Sequence, residues 1–178
     1  MAARIRIKSA MFDELERHLD QPELAAFLLA DFDGHDFEVV EIRAVAGDGY
    51  SSRSNYHLEL ADSARPQLIA WALERELCLI EVHSHGPDFP QFSRSDQLGF
   101  LDWVPHVRWR LRGRPYAALV RSGDEWDGLA WAGSAGEAQI VEALEITAGD
   151  SDEAGADISG PAPAARTIPT TTRSIEDA

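Results

Sequence analysis

The sequence predicts a single α/β domain, built as a curved mixed β-sheet that is flanked by helices. With 178 residues, of which 44% are hydrophobic, the chain can bury one sizeable core, whereas two full-sized domains would each be small and marginal. Stretches with the two-residue alternation of strands are interleaved with stretches whose apolar residues recur at helical spacing. Such an order of elements favours a sheet covered by helices.

The predicted elements follow one another without an internal repeat. The first half of the chain is predicted to contain a strand at residues 5–7, a helix after residue 9, a hairpin formed by residues 23–29 and 37–45, and a short strand at residues 56–60. The second half is predicted to contain a helix within residues 62–77, a strand at 77–82, a helix that begins after Ser93 and stops at Pro105, and strands at 116–121 and 126–131. The segment 138–146 fits a strand and a helix equally well.

The chain divides into a predicted folded domain, residues 1–148, and a tail, residues 149–178. The tail combines acidic residues with a Gly/Pro/Ala segment and three consecutive threonines, and it has almost no large apolar side chain. Such a composition buries too little surface to offset the entropy that is lost on ordering. The tail is therefore predicted to be disordered.

Charge and cysteine content limit the partners and the compartment. Sixteen basic and 31 acidic residues give a net charge of −15, a field that repels nucleic acid and anionic membranes. No segment approaches the roughly 18 apolar residues of a membrane span, and residues 1–7 lack the apolar stretch of a signal peptide. The single cysteine, Cys78, lies in an apolar run and is interpreted as a core residue. A cytoplasmic protein that binds neither nucleic acid nor membrane is predicted.

The segment that suggests a chemical function runs from His83 to Asp96. His83 and His85 are two residues apart at the end of a predicted strand, so their imidazoles point to the same side and can share one metal ion. Asp96 lies in the first turn of the next predicted helix and can supply a third ligand. Three protein ligands with a fourth position left open are what catalytic zinc requires. Ser93 and Asp96 also have structural interpretations, as an N-cap and a first-turn acid.

The spacing His-x-His, seven residues, then Ser-x-x-Asp resembles the signature of the JAMM (JAB/MPN) zinc metalloproteases, in particular small prokaryotic members similar to deubiquitinase-like isopeptidases. The resemblance implies an MPN (JAB) domain with cytidine-deaminase-like layering. It also implies that His83, His85 and Asp96 bind Zn²⁺. Glu23, which opens an apolar run after the first helix, is the implied base that accepts a proton from water and passes it to the leaving amine. Ser93 is implied to hydrogen-bond the oxyanion of the intermediate.

Two positions near the histidines deserve comparison with the family pattern. Gly86 stands where proline usually follows the second histidine, which alters the stiffness of the loop and not the ligands. Glu81 shares the strand face of His83, so it is an alternative to Glu23 as the base. The sequence contains neither the HExxH motif of zincins nor the HxE and PCxxC pair of nucleobase deaminases.

The resemblance also implies a substrate class. Members of the family cleave the isopeptide or peptide bond that follows the C-terminal glycine of a ubiquitin-like modifier, and small prokaryotic members resemble partners of sulfur-carrier proteins and of E1-like (ThiF-type) activating enzymes. The alternative is a non-catalytic MPN scaffold that binds a ubiquitin-like protein or a partner subunit. Such scaffolds usually lack a ligand, whereas this sequence retains all of them, which favours the enzyme.

The remaining histidines and the tryptophans are interpreted as structural. The histidines outside any ligand spacing are expected on the surface or in loops: His18, His35, His57 and His106. The tryptophans at helix and strand positions are expected in the core: Trp103, Trp109, Trp126 and Trp131. Asn55 resembles a family position that faces the substrate groove, and it fits an ordinary turn equally well.

Overall fold

The computed structural model describes residues 3–133, 136–149 and 165–171. Ten strands and three helices form in these ranges. In chain order they are β1 (Ala3–Lys8), α1 (Ser9–His18), β2 (Ala25–Phe32), β3 (Phe37–Ala44), β4 (Tyr50–Arg53), β5 (Leu58–Leu60), α2 (Ala64–Arg75), β6 (Cys78–His85), α3 (Arg94–Arg110), β7 (Tyr116–Ser122), β8 (Glu125–Trp131), β9 (Gln139–Thr147) and β10 (Arg166–Pro169).

Seven of the strands form a closed, barrel-like sheet. The order is β1-β3-β2-β6-β7-β8-β9, and β1 pairs with β9 as well as with β3, so the two ends of the sheet meet. The contact between β1 and β9 is parallel and runs the length of β1, from Ala3 opposite Val141 to Lys8 opposite Thr147. Closure removes the exposed strand edges that an open sheet would leave. β4 and β5 form a separate two-stranded sheet.

This closure shows that the predicted fold class, a helix-flanked curved MPN sheet with cytidine-deaminase-like layering, is wrong. Strand, rather than helix, makes up most of the regular structure in the described ranges. The reason for the error lies in β1 and β9. Hydrophobic alternation predicts each strand separately, but it carries no signal that two strands more than a hundred residues apart will pair.

Two hydrophobic cores lie on opposite faces of the closed sheet. The inner core collects apolar side chains from all seven strands, and α1 contributes Phe12 and Leu15, with the Phe12 ring 5.9 Å from that of Trp126. The outer core lies on the faces of β2, β6, β7 and β8 and is covered by α2 and α3. Packing on this outer face is what brings the start of α3 close to the end of β6.

The local predictions are mostly confirmed, and α3 shows where they are wrong. Pro105 was expected to stop the helix, yet α3 continues to Arg110. Pro105 is exposed, so the carbonyl that it leaves without an N–H partner can be hydrated by water. Phe100, Val104 and Val107 form the buried face of α3, whereas Leu98 and Leu101 are exposed. The ambiguous segment 138–146 belongs to strand β9.

Part of the predicted tail is ordered. β10 pairs antiparallel with β9, and Ile168 joins the inner core. Thr170 N donates to Glu142 O and Thr171 N donates to Trp126 O, which extends the contact beyond the strand. The prediction of disorder therefore does not hold for residues 165–171, while residues 150–164 and 172–178 lie outside the described ranges.

Two predictions from composition can also be compared with the structure. Cys78 is buried, as predicted, and burial raises the pKa of its thiol to about 12. In the described part of the chain, none of the helices is long and apolar enough to cross a membrane.

Removal of residues 150–178 is expected to destabilise the fold, because β10 and the buried side chain of Ile168 go with them. Full burial of an isoleucine contributes about 1.5–3 kcal/mol. A chain ending at residue 149 should therefore unfold at lower urea concentration than one ending at residue 171, which keeps β10. Tryptophan fluorescence follows both transitions, and coincident unfolding curves would show that β10 adds nothing to stability.

Candidate metal site

β6 presents the two histidines on the outer face of the closed sheet. It lies between β2 and β7, and its Ile80 and Val82 point into the inner core. Because side chains alternate along a strand, Glu81, His83 and His85 emerge on the opposite face. β6 includes both histidines, so it ends three residues later than the predicted end at residue 82. His83 is buried and His85 is half-buried.

The first turn of α3 brings Asp96 to the two histidines. Ser93 caps the helix: its Oγ accepts a hydrogen bond from Asp96 N at 3.2 Å, and its own N–H donates to Asp96 Oδ2 at 2.7 Å. These bonds place Oδ1 at 3.5 Å from His83 Nε2 and Oδ2 at 3.3 Å from His85 Nε2. Ligand atoms of the three residues lie within 4.8 Å of one another. The residues predicted as ligands form one cluster, and this cluster can hold a metal ion.

The spacing of the ligand atoms fits a tetrahedral ion. Metal–ligand bonds of 2.0–2.2 Å set neighbouring ligand atoms of a tetrahedron roughly 3.3–3.6 Å apart. The Nε2 atoms of His83 and His85 are 3.0 Å apart, close to this range. The distances from these atoms to the Asp96 carboxylate also fit, although one is measured to Oδ1 and the other to Oδ2. Nδ1 of His85 lies 3.2 Å from the carbonyl oxygen of Phe89. When Nδ1 of His85 carries the proton and donates it to this carbonyl, Nε2 is unprotonated and its lone pair points at the cluster.

The charges of the cluster favour a cation. Burial by itself raises the pKa of the Asp96 carboxyl, but hydrogen bonds from His83 and His85 outweigh it and hold that pKa well below its usual range. Burial lowers the pKa of His85, yet the hydrogen bond and charge of Asp96 outweigh it, so the pKa of His85 is raised. Asp96 therefore stays ionised and attracts positive charge. Either a proton on His85 or a metal ion can supply that charge.

Glu23 is held beside the cluster by backbone bonds to Ser84, the residue between the two histidines. Glu23 N donates to Ser84 O at 2.7 Å, and Ser84 N donates to Leu24 O at 2.9 Å. The Ser84 hydroxyl donates to Gln21 O and accepts from Leu24 N. Glu23 has a φ of 58°, a left-handed conformation that is uncommon for residues other than glycine. The strand β2 begins at Ala25, so Glu23 precedes it rather than opening it as predicted.

The Glu23 carboxyl has the properties of a proton acceptor. Only 9% of the residue is exposed, and among the described residues no hydrogen bond or ion pair engages its carboxylate. Burial raises its pKa, against the opposing charges of His85 and His83. A buried carboxyl that no other group engages, next to candidate metal ligands, is a candidate general base.

Glu81, the alternative base, is already engaged. Its Oε2 accepts a 2.6 Å hydrogen bond from Tyr116 Oη, which in turn accepts one of 2.9 Å from Trp103 Nε1. Its Oε1 lies 3.9 Å from His83 Nδ1, the ring nitrogen that does not face Asp96. The geometry therefore favours Glu23 as the base. No local pattern in the sequence links Glu81 with Tyr116, 35 residues away, so this connection could not be predicted.

A cavity of about 1290 Å³ opens over the cluster. Its walls come from the segment before β2, the β4–β5 hairpin, the start of α2, the loop after β6 and one face along the length of α3. Ser93 and Asn55 are among the lining residues, as are the exposed aromatic side chains of Tyr56 and Phe89. The cavity is large enough for an extended peptide segment to reach Glu23 and the ligand cluster.

The histidines outside the motif lie outside the ligand cluster. His57 and His106 are exposed and line the cavity. His35 is exposed in the turn after β2. His18 is half-buried at the end of α1, with its Nε2 2.8 Å from Ala25 O.

The tryptophans divide between core and surface. Trp126 and Trp131 are buried as predicted, whereas Trp109 is 73% exposed, so the prediction of a core residue is wrong there. The predicted helix ends at Pro105, so it offers no helical face for Trp109. In the structure α3 continues past Pro105, and Trp109 lies on its solvent-facing side. Trp103 is half-buried and forms the bond to Tyr116 described above.

Comparison with known proteins supports the fold and leaves the function open. No protein-family model matches the chain, and no curated protein matches it either. The chain is similar to the solution structure of protein DSY2949 from Desulfitobacterium hafniense, with a TM-score of 0.50 and 16% identity over 82% of this chain and 94% of that chain. A protein from Salinibacter ruber aligns with a TM-score of 0.43 and 20% identity over 84% of this chain and 92% of that chain. At 16% identity, the likeness to the first concerns the fold alone.

The purified protein is expected to bind about one divalent transition-metal ion per chain, because three ligand atoms already converge in the folded structure. His85→Ala removes one ligand from the rim of the cluster and should abolish stoichiometric binding. His57→Ala is the matched control, since it removes a cavity histidine outside the cluster. Elemental mass spectrometry after dialysis measures all three proteins, and equal metal content in wild type and His85→Ala would refute the site.

Proposed function

We propose that the protein is a zinc-dependent hydrolase of JAMM type, which cleaves an isopeptide or peptide bond that follows the C-terminal glycine of a ubiquitin-like modifier or a sulfur-carrier protein. The observation that carries the proposal is the cluster of His83, His85 and Asp96 next to the buried, unengaged carboxyl of Glu23. The closed sheet differs from the fold that the family resemblance implied. The proposal therefore depends on the site and its motif, and not on the fold.

Zinc is the proposed ion because of the donor set. Two imidazole nitrogens and one carboxylate oxygen, with space left for a further ligand, are typical of catalytic zinc sites. When bound, zinc would supply Lewis-acid activation of the water and of the scissile carbonyl. His83, His85 and Asp96 would hold it, and the capping bonds with Ser93 keep the Asp96 carboxylate in position.

Glu23 is the residue proposed to move the proton. It lines the same cavity as the ligands, and its carboxyl has no competing partner among the described residues. The raised pKa brings the group nearer to the operating pH, which suits a carboxyl that accepts a proton in one step and returns it in the next. In this scheme Glu23 takes a proton from the attacking water and delivers it to the leaving amine.

Ser93 is proposed as the hydrogen-bond donor to the oxyanion. Its Oγ accepts a bond from Asp96 N, so the proton of the same hydroxyl remains available for donation into the cavity. A donor positioned in this way typically contributes a few kcal/mol to transition-state stabilisation.

The proposed substrate is an extended tail. β5 pairs only with β4 in the described ranges, so its second edge can accept a further strand by backbone hydrogen bonding. Leu58 and Leu60 of β5 line the cavity that holds the cluster. An extended tail that ends in glycine is suited to such an edge, because glycine brings no side chain to the reacting bond. E1-like (ThiF-type) enzymes are the proposed pathway partners, as the resemblance implies.

The second candidate function is a metal-free scaffold that binds a ubiquitin-like protein or a partner subunit without cleaving it. It requires a cavity and no chemistry, and the large open cavity allows it. The convergence of three ligand atoms with a buried carboxyl favours the enzyme, since a scaffold has no need of the cluster. Metal content distinguishes the two candidates.

Glu23→Gln is expected to abolish turnover and leave metal bound, because the amide keeps the shape of the side chain but cannot accept the proton. Removal of a general base typically lowers the rate by about 10²–10⁴-fold. The assay measures release of a fluorophore from a short peptide ending in Gly-Gly, in parallel with metal content. Glu74→Gln, an exposed change on α2 outside the cavity lining, is the control. Normal turnover or loss of metal in Glu23→Gln would exclude the assigned role.

A further inference from the structure

A partly buried chain of hydrogen bonds runs from α3 to the side of His83 that faces away from Asp96. It starts at Trp103 Nε1, which donates to Tyr116 Oη at 2.9 Å, and continues from Tyr116 Oη to Glu81 Oε2 at 2.6 Å. The chain ends at Glu81 Oε1, 3.9 Å from His83 Nδ1. Tyr116 is fully buried, and the side chain of Glu81 is 20% exposed.

The direction of this chain is fixed by chemistry. An indole N–H can only donate, so Tyr116 Oη accepts from Trp103 and must direct its own proton elsewhere. The carboxylate of Glu81 can only accept when ionised, and it receives that proton. Burial and the charge of Glu81 raise the pKa of Tyr116 well above its usual value, so the phenol keeps the proton that it donates.

Glu81, at the end of the hydrogen-bond chain, influences which ring nitrogen of His83 carries the proton. The carboxylate of Glu81 attracts a proton on Nδ1 of His83, and an imidazole that carries its proton there presents the lone pair of Nε2. Nε2 is the atom that faces Asp96 and His85 in the cluster. At 3.9 Å the attraction is electrostatic and not a direct hydrogen bond.

Burial of Tyr116 alone would require a partner for its hydroxyl, but it does not account for the arrangement as a whole. A backbone carbonyl would satisfy the phenol at lower cost than an acidic side chain, whose own desolvation is unfavourable. Here the partner is the carboxylate of Glu81, two residues before the proposed ligand His83. Its second oxygen, Oε1, faces the imidazole of His83. In metal sites, a carboxylate commonly faces the ring nitrogen of a histidine that does not bind the metal, and it fixes the tautomer and orientation of the imidazole.

We propose that Glu81, Tyr116 and Trp103 are positioning residues, which fix the orientation and tautomer of His83 and thereby set the affinity of the cluster for its metal ion. The inference rests on the proposed metal site and adds residues that the sequence motif does not contain. Glu81 acts on the imidazole, Tyr116 holds Glu81, and Trp103 holds Tyr116. The effect of a substitution should therefore decline with distance along the chain.

The test is a graded series of variants measured by metal affinity. Glu81→Gln removes the charge, Tyr116→Phe removes one hydroxyl, and Trp103→Phe removes the indole donor. Each is titrated with Zn²⁺ in competition with a chromophoric chelator, and with Co²⁺ to record its visible absorption bands, which report ligand geometry. Ile7→Val is the control for general loss of stability, since Ile7 lies in the inner core on β1.

The expected result is a loss of Zn²⁺ affinity of about 10–100-fold in Glu81→Gln, the range found for outer-shell partners, with smaller losses in Tyr116→Phe and Trp103→Phe. The Co²⁺ bands of Glu81→Gln and Tyr116→Phe should shift, whereas Ile7→Val should match wild type in both measurements. If Tyr116→Phe does not fold, Glu81→Gln alone decides, because its side chain keeps its size and can still accept from Tyr116.

Two results would overturn the inference: wild-type affinity and Co²⁺ bands in Glu81→Gln, or an equal loss of affinity in Ile7→Val. Failure of the proposed function gives a different result. If wild type itself binds neither Zn²⁺ nor Co²⁺ at the cluster, the metal site is wrong and the positioning role falls with it.

Discussion

The reciprocal hydrogen bonds between Ser93 and Asp96 are the contact on which the candidate site depends. They stabilise the start of α3, and the same bonds hold the Asp96 carboxylate with one oxygen toward His83 and the other toward His85. One structural element therefore ends a loop, begins a helix and completes a ligand set. The ordinary role of a capping box explains why the residue pair is stable before any ion is present.

The position of Glu23 depends on a second set of contacts, which act against the local preference of the chain. A non-glycine residue with φ near 58° costs of order 1–3 kcal/mol, so surrounding bonds must hold it there. Ser84 provides them through its backbone and its hydroxyl. Because Ser84 lies between His83 and His85, the strand that presents two ligands also fixes the carboxyl beside them. Strain at this residue is consistent with a functional site.

The sequence predicted what is local and missed what is not. The ligands could be found because the strand period places His83 and His85 on one side and a helix start places Asp96 opposite them. The closed sheet could not be found, because its closure depends on the pairing of β1 with β9 and no periodicity encodes a partner strand. The bond between Tyr116 and Glu81 was missed for the same reason. β10 was missed because Ile168 is a single apolar residue in a segment whose composition favours disorder.

The most direct test of the account is a crystal structure of the protein grown with excess zinc, with diffraction data recorded above and below the zinc absorption edge. The account predicts one strong anomalous peak about 2.0–2.2 Å from His83 Nε2, His85 Nε2 and an oxygen of Asp96. An anomalous map with no peak among these three residues, in a protein otherwise folded as described, would contradict it.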